Sequence, residues 1–279
     1  MKRAWIKSLT TVDLLVLMIF FTGPASLAES AGEAAAPAQP NAELINQGRD
    51  IYERNCAPCH GSMGDGQGMA AMLLQTKPMN FQSGLFKFRS TPTGALPMDE
   101  DIFQTISRGL RGTGMIGQKQ LSESELRAVV AYLKTLSQRF QQEQPQPLVS
   151  VPPPPPQTPE MVAQGRELYQ QVGCIKCHGP EGRGDGPSSR ELKDATGSPI
   201  RPANFSHPLK RGSSPEAVYR TLITGLNGTP MSSYQGTLSE EQLWALAFYV
   251  ASLNTNVLSE QQRREEANGQ MATGMSLPR

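Results

Sequence analysis

Apolar positions fall into a helical rhythm in two distant parts of the chain. Leu126, Val129, Val130 and Leu133 stand at i, i+3, i+4 and i+7, and Leu243, Leu246, Ala247 and Val250 repeat the spacing. That period predicts two amphipathic helices. Just ahead of them, Ser122 with Glu125 and Ser239 with Gln242 have the spacing of capping boxes. Earlier helices are predicted over 43–55 and 160–172, carrying Gly48 and Gly165 where a small residue lets another helix come close. Tyr132 and Tyr249 are the aromatic partners expected from the closing helices.

The two sets belong to one unit written twice. Gln47-Gly48-Arg49-Asp50-Ile51-Tyr52 recurs as Gln164-Gly165-Arg166-Glu167-Leu168-Tyr169. Gly64-Asp65-Gly66 recurs as Gly184-Asp185-Gly186, and Pro78-Met79-Asn80-Phe81 as Pro202-Ala203-Asn204-Phe205. Later, Gly112-Thr113-Gly114-Met115 matches Gly228-Thr229-Pro230-Met231. So long a period indicates a duplicated domain rather than a solenoid. The expected layout is a first domain over 43–137, a linker over 138–159, a second domain over 160–256 and a polar tail over 257–279. Pro152 to Pro156 form a short polyproline II rod, read as a spacer.

Chemistry enters with the cysteines. There are 4, all used in Cys56-Ala57-Pro58-Cys59-His60 and Cys174-Ile175-Lys176-Cys177-His178. Cys-x-x-Cys-His is the pattern of covalent c-type haem attachment. Two thiols three positions apart form thioethers to one porphyrin, and the adjacent histidine falls under the iron as proximal ligand. A zinc site would need each histidine to bend back onto the metal held by its own cysteines. A thioredoxin-like redox pair needs no histidine there and expects a βαβ setting. The cofactors expected are therefore two covalently bound haems, with His60 and His178 on iron.

Residues 1–28 have the order of a secretory signal: Lys2, Arg3 and Lys7, an apolar run from Leu14 to Phe21, then Ser26-Leu27-Ala28. The run is short of the roughly 20 residues a spanning helix needs. Cleavage before Glu29 is expected, an uncleaved anchor being the alternative, and the location is periplasmic. A formal net charge of +1 argues against nucleic acid or a strongly anionic membrane as partner.

Taken together, the pentads, the opening Gly-x-x-x-aromatic pattern and the Gly-Thr-Pro-Met-type loop resemble a tandem class I cytochrome c over residues 43–137 and 160–254. The resemblance implies an all-α fold of two mono-haem domains. It also implies that the loop methionines, Met115 and Met231, are the distal iron ligands. Met63, Met69, Met72, Met79 and Met98 have no methionine counterpart in the second copy and are weaker candidates. His207 has no counterpart in the first copy and reads as a surface residue. Backbone carbonyls, with Pro78 and Pro202 as candidates, are expected to accept from the proximal imidazoles. The implied role is single-electron transfer between a redox protein donor and acceptor, with membrane association, if any, through a partner complex. Two alternatives stand beside it: a haem-bearing subunit of a larger oxidoreductase, and a small dihaem enzyme, which would need an open axial position.

Overall fold

The computed structural model describes residues 41–254, and the expected secretory signal and the whole polar tail lie outside them. In the first half, α1 (Ala42–Asn55), α2 (Ala57–His60), α3 (Asp99–Arg108), α4 (Glu123–Thr135) and α5 (Arg139–Gln142) follow one another. The second half has α6 (Pro159–Gln171), α7 (Ile175–His178), α8 (Pro215–Thr224) and α9 (Glu240–Ser252). Among the described residues the only β pairing is three isolated bridges, so the fold is all-α. No described helix is long and apolar enough to cross a membrane.

Each half is built on a crossing of its first and last long helices, α1 on α4 and α6 on α9. Glycine makes that crossing close. A Cβ at Gly48 would stand 2.0 Å from the Ala128 carbonyl oxygen, and one at Gly165 would stand 2.0 Å from that of Ala245. Any side chain would push the helices apart, which fixes glycine at both places. Tyr52 then meets Tyr132 at 5.2 Å between ring centres, and Tyr169 meets Tyr249 at 5.4 Å. The capping boxes form as the serine spacing requires. Glu125 accepts from Ser122 N at 2.8 Å, and Gln242 Oε1 accepts from Ser239 N at 2.9 Å.

The closing helices differ on their outer faces. In α4 the apolar stripe faces the core and Arg127 stays in solvent, paired with Glu123 at 2.7 Å. In α9 every residue from Leu243 to Val250 is buried, so it is not the amphipathic helix its spacing predicts. The cause is Trp244, at the position of Arg127, which stacks on Tyr219 of α8 with ring centres 4.3 Å apart.

The first core also runs past residue 137, the expected domain boundary. Phe140 of α5 is buried in it and meets Phe86 edge-on at 5.7 Å. Beyond that, Val149 N donates to Ser90 O of the first half at 2.8 Å, while Val149 and Val151 pack on the core of the second. This part of the linker is docked on both halves; Pro153, Pro154 and Pro156 are exposed.

A polar interface joins the halves directly. Arg211 of the second half reaches Asp101 of α3 at 2.8 Å and also donates to the Arg89 carbonyl. Asp101 is nearly buried, and its other oxygen accepts from Ser90 N, Ser90 Oγ and Met98 N at 2.8, 2.9 and 3.1 Å. A charge taken out of water in this way is tolerable only with such partners.

Candidate haem sites

Short helices place each pentad. α2 begins as α1 ends, and the two are tied by Cys56 N donating to Tyr52 O at 2.8 Å. Within it, His60 N donates to Cys56 O at 2.8 Å; in α7, His178 N donates to Cys174 O at 2.9 Å. One helical turn thus sets both cysteines and the histidine around a single point. The post-pentad loops fold alike. Tyr52 Oη donates to Gly61 O at 2.6 Å, and Tyr169 Oη donates to Gly179 O at 2.7 Å. Gly68 and Gly186 lie against the pentads so closely that a Cβ would stand 2.4 Å from the Pro58 and Ile175 carbonyl oxygens.

The histidines are oriented from behind. His60 Nδ1 lies 3.2 Å from Met79 O, and His178 Nδ1 lies 3.1 Å from Ala203 O. The accepting carbonyls therefore belong to the residue after each expected proline. With Nδ1–H donating to a carbonyl, the neutral ring has its Nε2 lone pair free for a metal. Burial lowers the pKa of both imidazoles, the carbonyl bond opposing it, and this favours the ligating form. A phenyl ring fixes each plane: Phe81 stacks on His60 at 4.6 Å and Phe205 on His178 at 4.5 Å. The repeated Pro-x-Asn-Phe carried this signal, since it delivers the carbonyl and the ring two residues apart.

The methionine loops are also two copies of one structure. Leu110 N donates to Met115 O at 2.9 Å and Thr113 N to Leu110 O at 3.2 Å. Leu226 N donates to Met231 O at 2.9 Å and Thr229 N to Leu226 O at 3.1 Å. Thr113 Oγ1 accepts from Met115 N at 3.1 Å, and Thr229 Oγ1 accepts from Met231 N at 3.2 Å. The threonine in Gly-Thr-x-Met thus closes the turn that presents the methionine.

In the first half these parts surround a cavity of 880 Å³ lined by Cys56, Cys59, His60 and Met115, with Tyr52, Phe81 and Val129 in its wall. That is at the upper end of small-molecule pockets, and the lining suits an apolar macrocycle. Second-half residues complete the wall, among them Asp194, Ser198, Lys210 and Asn227. Lys87 and Lys210 both line it, matching the two carboxylates a haem carries. Burial, and then the neighbouring Lys87 charge, lower the Lys210 pKa. Burial, with Cys59 adding to it, pushes the free Cys56 thiol up to about 11.

Of the weaker candidates, Met72 and Met79 line the same cavity, while Met63 and Met69 are exposed and Met98 sits at the start of α3. In the second half Met231 and Cys174 both pack, half-buried, on one core, with Tyr234 bonded to Cys174. His207 is exposed, and its carbonyl accepts from Asn254 at 3.2 Å.

Comparison with known proteins agrees with this geometry. Residues 162–254 match the family described as Cytochrome c, and residues 43–133 match that described as Cytochrome C oxidase, cbb3-type, subunit III. The Helicobacter pylori Cbb3-type cytochrome c oxidase subunit CcoP is 25% identical over 51% of this chain and 40% of its own length. The Rhizobium meliloti subunit FixP is 26% identical over 80% of this chain and 65% of its own. The chain thus spans less than two thirds of these relatives. A chain of the Kuenenia stuttgartiensis reducing HAO-like protein complex is 44% identical, with a TM-score of 0.73, over 75% of this chain and 96% of that one.

Proposed function

Since the chain belongs to the dihaem c-type cytochromes and carries two covalently bound haems, we propose that it relays single electrons as a haem-bearing subunit of a larger oxidoreductase. The observation that carries the reading is the joining of two cytochrome folds by a buried polar interface, with second-half residues completing the first haem's pocket. Such a unit suits passage of an electron from one haem to the other. The subunit reading is preferred to a free shuttle because the similar proteins are described as oxidase subunits or as part of an enzyme complex.

Haem, when bound, would supply one-electron chemistry at its iron. This chain's residues do the rest. Cys56 and Cys59, and Cys174 and Cys177, fix the porphyrins through thioethers. His60 and His178 would hold the irons through Nε2, kept neutral by burial and oriented by the Met79 and Ala203 carbonyls. Met115 and Met231, presented by the threonine-closed loops, would supply the thioether ligands. Thioether ligation favours ferrous iron and raises the potential, and a six-coordinate iron offers no place for substrate. The signal-like order of charge, apolar run and small residues in 1–28 supports export to the periplasm, where c-type haem is attached.

Purifying the tagged chain from its native cells tests the assignment. It should elute with an oxidoreductase that reduces or oxidises both haems on addition of that enzyme's substrate. Elution as a lone 30.3 kDa chain, or less after cleavage, with no such enzyme exchanging electrons with it, would contradict the subunit reading.

A further inference from the structure

The loop bearing Met231 is held from outside its own half. It leaves α8 at Thr224 and Gly225, where the last carbonyls of a helix have no donor within the helix. Thr224 Oγ1 donates to Gly225 O at 3.1 Å, and the other donors come from the first half. Arg89 Nη2 donates to Thr224 O at 2.5 Å, Arg89 Nη1 to Gly225 O at 3.5 Å, and Thr93 Oγ1 to Thr224 O at 2.9 Å. Further along the loop, Asn227 accepts from Gly94 N at 2.9 Å and donates to Ala95 O at 3.2 Å.

Arg89 is fully buried, with no exposed surface. A guanidinium is costly to bury unless its donors are used, and a cation at a helix C-terminus is favoured by the helix dipole. Burial, with Arg211 adding to it and Asp101 opposing, lowers its pKa to about 10, so it is charged at neutral pH. The first half is built otherwise at this point. Arg108 and Arg111, at the places of Thr224 and Asn227, are exposed, and so is Ile116 beside Met115.

We propose that Arg89, with Thr93 and the Gly94–Ala95 backbone, is a positioning element for the axial loop of the second haem, so that the first domain sets how firmly Met231 reaches that iron. The proposal rests on Met231 being the distal ligand.

The test uses the full chain with both haems, titrated for redox potential and followed by absorption. Met231→Ala comes first: the component whose potential and spectrum it changes is the second haem. Arg89→Gln should then lower the potential of that component and weaken its thioether–ferric absorption. It should also raise carbon monoxide affinity there about tenfold, as expected when bonds from a charged donor no longer oppose loop opening. The first haem, whose pocket wall includes Asn227 of the same loop, should change less than the second. Thr93→Val, a milder variant that keeps the buried cation, should shift the second haem the same way by less, and it carries the test if Arg89→Gln does not fold. Arg211→Gln is the control, because it breaks the contacts with Asp101 and the Arg89 carbonyl across the same interface and removes none of the side-chain bonds that Arg89, Thr93 and Asn227 make to hold the loop. An unshifted second haem in Thr93→Val and in any Arg89→Gln that folds overturns the proposal, as does an equal shift in Arg211→Gln. If Met231→Ala leaves both haems unchanged, the ligand assignment itself falls and the proposal with it.

Discussion

The two halves share their haem cradles almost atom for atom and differ wherever the cradle ends. The tyrosine bond to the post-pentad glycine, the carbonyl behind each histidine and the threonine-closed methionine turn all occur twice within 0.1 Å in length. The outer face of the closing helix carries Arg127 in one half and a buried Trp244 in the other. One methionine loop stands beside exposed Ile116, while the other is bonded to the neighbouring domain. Duplication kept what holds a haem and altered the surfaces around it, one of them the loop that meets the other half.

The largest effect should come from removing one cradle's covalent bonds. Cys56→Ala with Cys59→Ala should leave one covalent haem per chain after extraction with acid and organic solvent, and the corresponding Cys174 and Cys177 variant should leave the other. Loss of both haems from either variant would mean that one half cannot mature alone.

A smaller difference should appear in stability. Trp244→Ala removes a fully buried indole and should cost about 3–5 kcal/mol, read as a lower denaturant midpoint at unchanged slope. Arg127→Ala, at the matching position, should leave the midpoint where it was, because an exposed ion pair contributes little. Equal losses would show that the outer faces are not as different as their burial indicates.

The smallest effect is expected from cutting the linker. Proteolysis should fall just beyond the exposed prolines, after Gln157, and the nicked halves should elute together with both haem spectra intact. Val149 and the Arg211–Asp101 pair still join them, and that pair is largely shielded from solvent. Separation into two one-haem fragments at moderate salt would show the interface to be weaker than its bonds imply.

The cradle was legible in the sequence because it is short-range and written twice. Each pentad lies within one helical turn, and Gly48 and Gly165 recur 8 and 9 residues ahead of it. Pro-x-Asn-Phe was visible as a repeat, but its role was displaced by one residue: a backbone carbonyl leaves no mark on residue identity, so the expected Pro78 and Pro202 gave way to Met79 and Ala203. The interface was not legible, since Arg89, Asp101 and Arg211 are unrepeated charged residues of the kind that usually stay in solvent. Burial of Trp244 was likewise hidden, because helical periodicity records one packed face and not a second covered by a neighbouring segment.

The account stands on both irons being closed by a methionine, which separates an electron relay from an enzyme with an open haem. Carbon monoxide added to the fully reduced, unmodified protein at neutral pH tests this most directly. Almost no spectral change at either haem is the predicted result, with stoichiometric binding appearing at one haem only after Met115→Ala or Met231→Ala. Binding of one equivalent by the unmodified protein would show an open iron and contradict it.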